Sequence, residues 1–296
     1  MARPRLAVII PTKDRPAELS RLLGDISLGT FHPERIIIVD GSSIPLSEGC
    51  VDLHGLRVDF MRKVPASLTA QRNAGLGAIG GDIDLVCFFD DDVALEKDSM
   101  EKMIGFWQAA PDTVGGAAFN LTNEIYEAPS VGERIFHVNA SLPGRILRSG
   151  FQSKVSCVER DIEVEWLAGC AMVWRKRLFD EFKFDEWFSG YARYEEVDFS
   201  RRVGKRYRMY IVADAKARHL SRQEDPAFSS SLGKMEVVNR YHFVKKDPGL
   251  SRALCLWGLF GLFLNNAAKG IIRADRRCAL RALGNLSGFR QLLTSP

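Results

Sequence analysis

The sequence predicts an α/β protein with a mostly parallel, doubly wound sheet and helices on both of its faces. Three observations favour this class. Apolar runs and amphipathic segments alternate over the first 110 residues, as strand–helix–strand units do. The apolar runs are short and rich in β-branched residues, which is typical of strands buried on both faces. Acidic residues follow two of these runs, at the sheet edge where such folds bind ligands.

The predicted elements follow from local patterns. Leu19, Leu22, Leu23 and Ile26 have the i, i+3, i+4, i+7 spacing of an amphipathic helix. Met100, Met103, Ile104 and Trp107 mark another helix in the same way. The predicted strands of this half cover residues 6–10, 35–39, 58–61 and 84–89, and a further helix covers residues 67–79.

The pattern loosens after residue 110. Residues 120–160 are irregular, residues 163–174 and 208–214 resemble strands, and residues 195–203 resemble a helix. We expect one domain over residues 1–225, with halves at 1–110 and 111–225. Residues 226–296 are predicted to form a basic, amphipathic helical extension.

The composition is that of an ordinary soluble protein, with 46% hydrophobic and 26% charged residues among 296. The six cysteines contain no C-x-x-C pair, so the sequence has no zinc or redox signature and suits a reducing cytoplasm. The N-terminal apolar segment has five residues before Pro11, too few for a signal peptide, and predicts a first strand instead.

Positive charge concentrates at the C-terminal end. Residues 228–296 contain eleven Lys and Arg against three Asp and Glu, a net charge of +8 that leaves −4 for the rest. Within this end, the apolar run 254–264 is too short to span a bilayer and has basic residues on both sides. We expect residues 245–277 to bind an anionic membrane surface, the alternative being a core helix that covers the sheet. No nucleic acid is expected, because aromatic residues do not interleave with the basic ones.

The segment VCFFDDDVAL (86–95) ends a predicted strand in three adjacent carboxylates. Hard divalent cations prefer such oxygen ligands, so Asp90, Asp91 and Asp92 indicate a cation site. The alternative is a solvated acidic loop. Asp40 also ends a predicted strand, so the fold rule brings it to the same edge.

Seven motifs are more informative together, in their order along the chain, than any one of them alone. They are PTKDRP (11–16), IIIVDGSS (36–43), LTAQRNAGL (68–76), FFDDDV (88–93), WLAGCAMVWRKRLF (166–179), FDEWFSGYARYEEVDFSRRV (184–203) and ADAKARHLS (213–221). In this order the chain resembles the family 2 glycosyltransferases over about residues 5–222. The resemblance implies the GT-A (nucleotide-diphospho-sugar transferase) fold, a sugar-nucleotide donor and Mn²⁺ or Mg²⁺.

The resemblance also implies site residues. Asp92, Asp90 and His219 would bind the metal, although a lone histidine is often not a ligand. The residues implied for the nucleotide sugar are Pro11, Thr12, Arg15, Asp40, Arg72, Asn73, Asp90 and Asp91. Alternatives remain for three of them: Asp40 as a turn residue, Arg72 as a solvated helix charge, and Pro11 as a strand terminator. Gly41 occupies a position where many relatives have a second acid, which leaves the contact with the nucleotide base open.

The acidic start of helix 195–203 matches the position of the family's general base. The resemblance assigns Glu196 as this base, Glu195 as an orienting or capping residue, and Asp198 to the same cluster. The alternative is that acids simply favour a helix N-terminus. Trp166, Gly169 and Trp187 are candidates for acceptor binding, and core packing is the alternative for the two tryptophans.

These inferences predict an inverting glycosyltransferase. The donor would be a UDP-, dTDP- or GDP-linked sugar, with rhamnose, galactose, glucose and N-acetylhexosamines all open. The acceptor would be a glycan or lipid-linked precursor of a cell-surface polysaccharide, handled in the cytoplasm or at the inner face of the plasma membrane.

Two other functions compete with this one. A sugar-1-phosphate nucleotidyltransferase is disfavoured, because it needs a glycine-rich loop where PTKDRP has no glycine. A catalytically inactive, membrane-associated binding protein is disfavoured, because acids are present at every expected site.

Overall fold

The computed structural model describes residues 3–46, 49–124, 127–154, 157–220 and 226–294. The strands are β1 (Leu6–Thr12), β2 (Arg35–Asp40), β3 (Val58–Arg62), β4 (Leu85–Phe89), β5 (Val93–Leu95), β6 (Val114–Leu121), β7 (Ile162–Val164), β8 (Ala171–Arg175) and β9 (Arg208–His219). Within the described residues these nine strands form one mixed sheet in the order β3-β2-β1-β4-β8-β6-β9-β5, with β7 paired to β9. The predicted α/β class is confirmed.

The first half of the sheet is parallel. β1 pairs in parallel with β2 and β4, and β2 pairs in parallel with β3. β1 and β4 are buried along their whole length, which is why they are continuous apolar runs without alternation. Each of the four strands predicted for this half is present within one or two residues of its expected bounds.

The second half mixes strand directions. β8 lies antiparallel between β4 and β6, while β6 and β9 are parallel. β5 and β7 pair antiparallel with different parts of β9. The strand-like segment predicted at 163–174 is divided here, because residues 165–170 form a loop between β7 and β8.

Strand β6 was not predicted, since it includes Gly115 and Gly116, which have low strand propensity. Both glycines are required by their neighbours. A Cβ on Gly115 would lie 2.7 Å from the Cβ of Tyr207, and one on Gly116 would lie 2.5 Å from Trp174. The sheet therefore selects small residues where two aromatic side chains approach the backbone.

The helices are α1 (Pro16–Leu28), α2 (Leu68–Gly77), α3 (Ser99–Ala109), α4 (Val131–Ile135), α5 (Glu195–Val203), α6 (Pro226–Lys246), α7 (Arg252–Ile272) and α8 (Arg276–Thr294), with a 3₁₀ helix at Lys176–Asp180. α1 begins with a proline at its first turn, where no backbone N–H is needed. Its four predicted apolar positions are all buried. The predicted bounds of α5 match the structure.

Two compact units divide the chain. The first consists of Met1–Tyr126 and Val155–Ser221 and contains the sheet; the second consists of Glu127–Lys154 and Arg222–Pro296. The segment 127–154 thus groups with the C-terminal helices. The boundary predicted after residue 225 falls next to residues 221–225, which lie outside the described residues.

The second unit is a helical layer with polar residues in its interior. α8 packs against α6 where Gly284 meets the backbone of Ser230, a contact too close for any side chain. Asn266 of α7 donates a hydrogen bond to Asn285 of α8 at 2.9 Å, and Asn285 donates to the carbonyl of Gly233 at 2.8 Å. These bonds satisfy the buried amides and set the register of the helices.

Helix α7 continues for eight residues beyond the apolar run 254–264. By length and composition it is sufficient to cross a membrane, and no other helix among the described residues meets that criterion. Core helices of soluble proteins meet it too, so the criterion does not assign a membrane span.

The glycine requirement of β6 can be tested by substitution. Gly116→Ala is expected to lower the free energy of unfolding by about 1–3 kcal/mol, because the added methyl group overlaps Trp174. Gly105→Ala on α3, where a Cβ meets nothing within 4 Å, should raise it by up to ~1 kcal/mol. The measurement is urea unfolding of both variants. Equal stability of the two variants would contradict the packing argument.

Candidate functional site

The acidic run Asp90–Asp92 directly follows β4. Because unpaired charges are costly to bury, three adjacent carboxylates cannot continue a strand whose residues are all buried. The chain leaves the strand at Asp90, whose backbone N–H donates to the carbonyl of Cys170 at 2.9 Å, and resumes as β5. The run therefore lies at the carboxyl edge of the parallel strands.

Asp91 is held by residues that follow β1 or end it. The Thr12 hydroxyl donates to Asp91 Oδ2 at 2.7 Å, and Arg15 Nη1 donates to Oδ1 at 2.9 Å. Burial raises the pKa of Asp91 to about 6, against the lowering effect of these two partners. Thr12, Arg15 and Asp91 were predicted to bind the nucleotide sugar; here they bind one another, and Pro11 is buried within β1.

β5 brings His219 to the acidic run. Antiparallel pairing places His219 opposite Val93, and His219 Nε2 lies 3.2 Å from Asp92 Oδ1. One potential ligand atom from each of Asp90, Asp92 and His219 lies within 4.8 Å of the other two. These are the three residues that the resemblance assigned to a divalent cation.

Hydrogen bonds govern the charge of this cluster. Burial acts to lower the pKa of His219, but the carboxylate of Asp92, in contact with Nε2, and the nearby carboxylate of Glu124 raise it to about 10. Burial acts to raise the pKa of Asp92, but hydrogen bonds from His219 and Arg15 keep it below the ordinary value. His219 and Asp92 therefore form an imidazolium–carboxylate pair near neutral pH. A divalent cation would replace the imidazolium proton, because only neutral imidazole ligates metals.

Asn123 and Glu124 position His219 and were not predicted. The Asn123 side chain donates to the carbonyl of His219 at 2.8 Å and accepts from its N–H at 3.0 Å. Glu124 Oε1 lies 3.8 Å from His219 Nδ1. Both residues follow the end of β6. The rule that located Asp90 would have located them too, had β6 been recognised.

Arg72 is fully buried between the acidic run and α5. Its Nη2 donates to Asp90 Oδ1 at 3.1 Å and to the carbonyl of Gly169 at 2.9 Å, and its Nη1 donates to Glu195 Oε1. A solvated helix charge, the alternative considered for Arg72, is therefore wrong. The guanidinium has internal partners, and the phosphate contact stays a prediction.

Helix α5 begins with the predicted acids. Tyr194 precedes it with a left-handed backbone (φ 74°), which is uncommon outside glycine. Glu195 is buried and Glu196 is half-buried. Burial raises the pKa of both carboxyls. Asp198 accepts a hydrogen bond from Arg202 Nε at 2.9 Å within the same helix.

Asp40 organises the loop that follows β2. Its carboxylate accepts hydrogen bonds from the N–H groups of Ser42 and Leu46 at 2.8 and 2.9 Å, and from Arg62 at 2.7 Å. Burial acts to raise the pKa of Asp40, but these bonds keep it below the ordinary value. The contacts match the turn role considered as the alternative, and binding of a nucleotide base stays a prediction.

Two amides of α2 connect the site to its surroundings. Asn73, predicted to bind the donor, donates to the carbonyl of Phe184 at 2.9 Å and accepts from its N–H at 3.1 Å. Gln71 was not singled out from the sequence. Its Nε2 donates to the carbonyls of Thr12 at 3.0 Å and Val39 at 2.7 Å, which joins the ends of β1 and β2.

The candidates for acceptor binding differ in their environments. Trp166 is buried, as the core-packing alternative predicts, whereas Trp187 is 47% exposed. A Cβ on Gly169 would lie 3.2 Å from Glu196 Cβ and 3.3 Å from Arg72 Nη2. Glycine at this position thus lets the start of α5 approach the arginine closely.

Together these residues form one polar site at the sheet edge. Asp90, Asp92 and His219 can hold a divalent cation, and Glu196 can accept a proton from a hydroxyl group. A buried guanidinium lies between the two groups. The arrangement suits transfer of a group from an anionic leaving group to a hydroxyl.

Solved structures share this fold. The mannosyltransferase PcManGT from Pyrobaculum calidifontis, in complex with GDP-Man and Mn²⁺, aligns with a TM-score of 0.58 at 13% identity, covering 97% of this chain and 88% of that one. S. aureus TarS 1–349 aligns with a TM-score of 0.54 at 15% identity, covering 98% and 81%. The same TarS fragment in complex with UDP aligns with a TM-score of 0.51 at 15% identity, covering 92% and 73%. At these identities the similarity shows the GT-A fold alone.

No curated protein matches the sequence significantly. The sequence profile described as Glycosyl transferase family 2 matches residues 7–155, half of the chain. The matched region contains Asp40, Arg72 and the acidic run Asp90–Asp92. The chain therefore belongs to the family 2 glycosyltransferases.

Proposed function

We propose that the protein moves a sugar from a nucleoside-diphosphate sugar to an acceptor hydroxyl in a single, inverting displacement. The observation that carries the proposal is the bridge made by Arg72, which contacts both Asp90 and Glu195. Through this bridge the candidate cation ligands and Glu196 belong to one site. Such proximity is what attack by a positioned hydroxyl requires.

Asp90, Asp92 and His219 would hold a divalent cation. The donor set fits, because two carboxylates and one imidazole offer ligand atoms within 4.8 Å of one another. An imidazole among the ligands favours Mn²⁺ over Mg²⁺. When bound, the cation neutralises charge on the leaving diphosphate.

A nucleoside diphosphate is the proposed leaving group. The GDP-Man and Mn²⁺ of the mannosyltransferase complex and the UDP of the TarS complex support this choice. UDP-, dTDP- and GDP-linked sugars are all candidates. Arg15 is half-buried at the same edge, beside Asp91 and Asp92, so we propose that it contacts the phosphates. The fully buried Arg72 would reach them only by exchanging its internal partners.

Glu196 is the proposed general base. Adjacent residues on a helix point about 100° apart. Glu195 accepts a hydrogen bond from the buried Arg72, so its neighbour Glu196 points in a different direction and is the acid available for an acceptor hydroxyl. Its raised pKa makes the carboxylate a stronger base for a sugar hydroxyl. Glu195 and Asp198, bonded to Arg72 and Arg202, keep the helix start in position.

We propose that the acceptor is a precursor of a cell-surface polysaccharide or a lipid-linked glycan. The enzyme would then work in the cytoplasm, at the inner face of the plasma membrane. The basic second unit supports this location.

The internal role of Arg72 can be tested through stability. Arg72→Met is expected to lower the free energy of unfolding by about 3–5 kcal/mol, because it leaves Glu195 buried without its cation. Adding Glu195→Gln should recover part of that loss. The measurement is urea unfolding, with Arg206→Met as the control because Arg206 and Glu181 form an exposed pair worth about 0–1 kcal/mol. Unchanged stability with lost donor affinity would instead support a phosphate contact.

The cation site can be tested with Asp92→Asn. We expect loss of transfer and of sugar-nucleotide hydrolysis by about 10²-fold or more, because the cation loses a charged ligand. Nucleotide release from UDP-, dTDP- and GDP-sugars with Mn²⁺ gives the activity, and thermal shift shows that the variant is folded. Asp214→Asn, an exposed position on β9, is the matched control. Normal turnover of Asp92→Asn, or full wild-type activity in EDTA, would refute the site.

The general base can be tested with Glu196→Gln. Transfer should fall by about 10²–10⁴-fold while donor affinity is retained, because only proton removal is lost. Calorimetry measures binding, and product mass measures transfer. If Glu196→Gln transfers normally and Glu195→Gln is inactive, the general base is Glu195 instead.

The pH profile gives a second readout of the same base. Glu196 acts only as a carboxylate, so kcat/KM should rise with pH through its raised pKa, above the ordinary glutamate value of about 4.3. Burial raises this pKa, helped by the charge of Asp90, while Arg72 and Arg193 oppose the rise. The fall of kcat/KM at acidic pH should be absent from the residual activity of Glu196→Gln. If the fall persists in this variant, it reports the protonation of another group.

A further inference from the structure

Helix α7 exposes an apolar stripe along its length. The stripe consists of Leu256, Phe260, Leu264 and Ile271, which recur at intervals of four, four and seven residues and so share one helix face. Phe260 is 43% exposed, Leu264 41% and Ile271 82%. Scattered exposed leucines are ordinary, but three large apolar side chains on successive turns, with a fourth two turns further on, mark an interaction surface.

The opposite face of α7 is packed within the second unit. Cys255, Leu259 and Asn266 are buried there, and Asn266 is hydrogen-bonded to Asn285 of α8. Only 28% of the most apolar 18-residue stretch of the helix is buried, which disfavours a core helix. A membrane span would have to separate α7 from α8 and expose these amides to lipid, where unpaired polar groups are costly.

Positive charge is present at both ends of the stripe. Arg252 begins α7, and Arg273 and Arg276 follow its end; all three are exposed. Over residues 245–277 seven Lys and Arg face two Asp, a net charge of +5. One of these acids, Asp275, already accepts hydrogen bonds from the N–H groups that follow it.

We propose that the α7 stripe docks on an anionic lipid surface, with the helix axis in the plane of the interface. Apolar side chains between basic helix ends match acyl chains beneath acidic headgroups. The inference deepens the proposed function, on which it rests for the membrane-borne acceptor. The docking surface itself belongs to the second unit and needs no catalytic residue.

Vesicle flotation of the full-length protein tests the proposal. We expect flotation with vesicles of phosphatidylcholine and phosphatidylglycerol at low salt, little flotation with phosphatidylcholine alone, and release as salt screens the headgroups. Failure to float with the anionic vesicles at low salt would overturn the proposal. Equal binding to neutral and anionic vesicles would overturn the role of the basic residues.

Two double variants separate the apolar contribution to vesicle binding from the electrostatic one. Phe260→Ser with Leu264→Ser should lower the partition coefficient by about tenfold or more, because both side chains lose apolar area. Arg273→Gln with Arg276→Gln should lower binding to anionic vesicles by about tenfold or more. Leu28→Ser, at a leucine 74% exposed at the end of α1, is the matched control and should float as wild type does. Circular dichroism confirms that each variant is folded.

Two further measurements complete the test. Concentration-dependent dimers that Phe260→Ser with Leu264→Ser abolishes, without vesicle binding, would assign the stripe to a second copy of this chain and overturn the proposal. Resistance to extraction from membranes by alkaline carbonate would assign a span and overturn it as well. Asp92→Asn should float as wild type does. Flotation without any transfer activity in wild type would therefore refute the proposed function and leave the docking surface intact.

Discussion

The site depends on one buried, positively charged side chain, that of Arg72. The Arg72 guanidinium is inaccessible to water, so its charge requires partners, and it finds them in Asp90, Glu195 and the carbonyl of Gly169. Each partner belongs to a different segment: the end of β4, the start of α5 and the loop before β8. A charge that must be paired thus fixes three segments relative to one another, because leaving the buried Arg72 or Glu195 unpaired costs far more than an exposed pair gains.

The other polar residues at this edge of the sheet are also paired with one another. Thr12 and Arg15 hold Asp91, and His219 is paired with Asp92. Carboxylates that would repel one another are therefore separated by cations and donors. This explains how three adjacent acids end a buried strand without destabilising it, and it leaves a set of ligand atoms close enough for one divalent ion.

The second unit combines closely packed helices with an exposed apolar helix face. Small residues and paired asparagines let its helices pack closely. The outer face of α7 nevertheless stays apolar between basic ends. Close packing on one face holds the helix in place, while the exposed face retains the composition of an interfacial helix.

The sequence by itself determined the parallel half of the sheet, the buried face of α1, the bounds of α5 and the edge position of the acidic run. These depend on local periodicity and on a rule about strand ends, both of which act over short stretches of chain. Only the tertiary structure decided the rest. β6 was missed because its glycines are required by Tyr207 and Trp174, which are distant in sequence. The environment of Arg72 was equally hidden. Its position in a helix gives only the direction of its side chain, whereas the segments that converge on it decide whether the charge meets water or the carboxylates of Glu195 and Asp90.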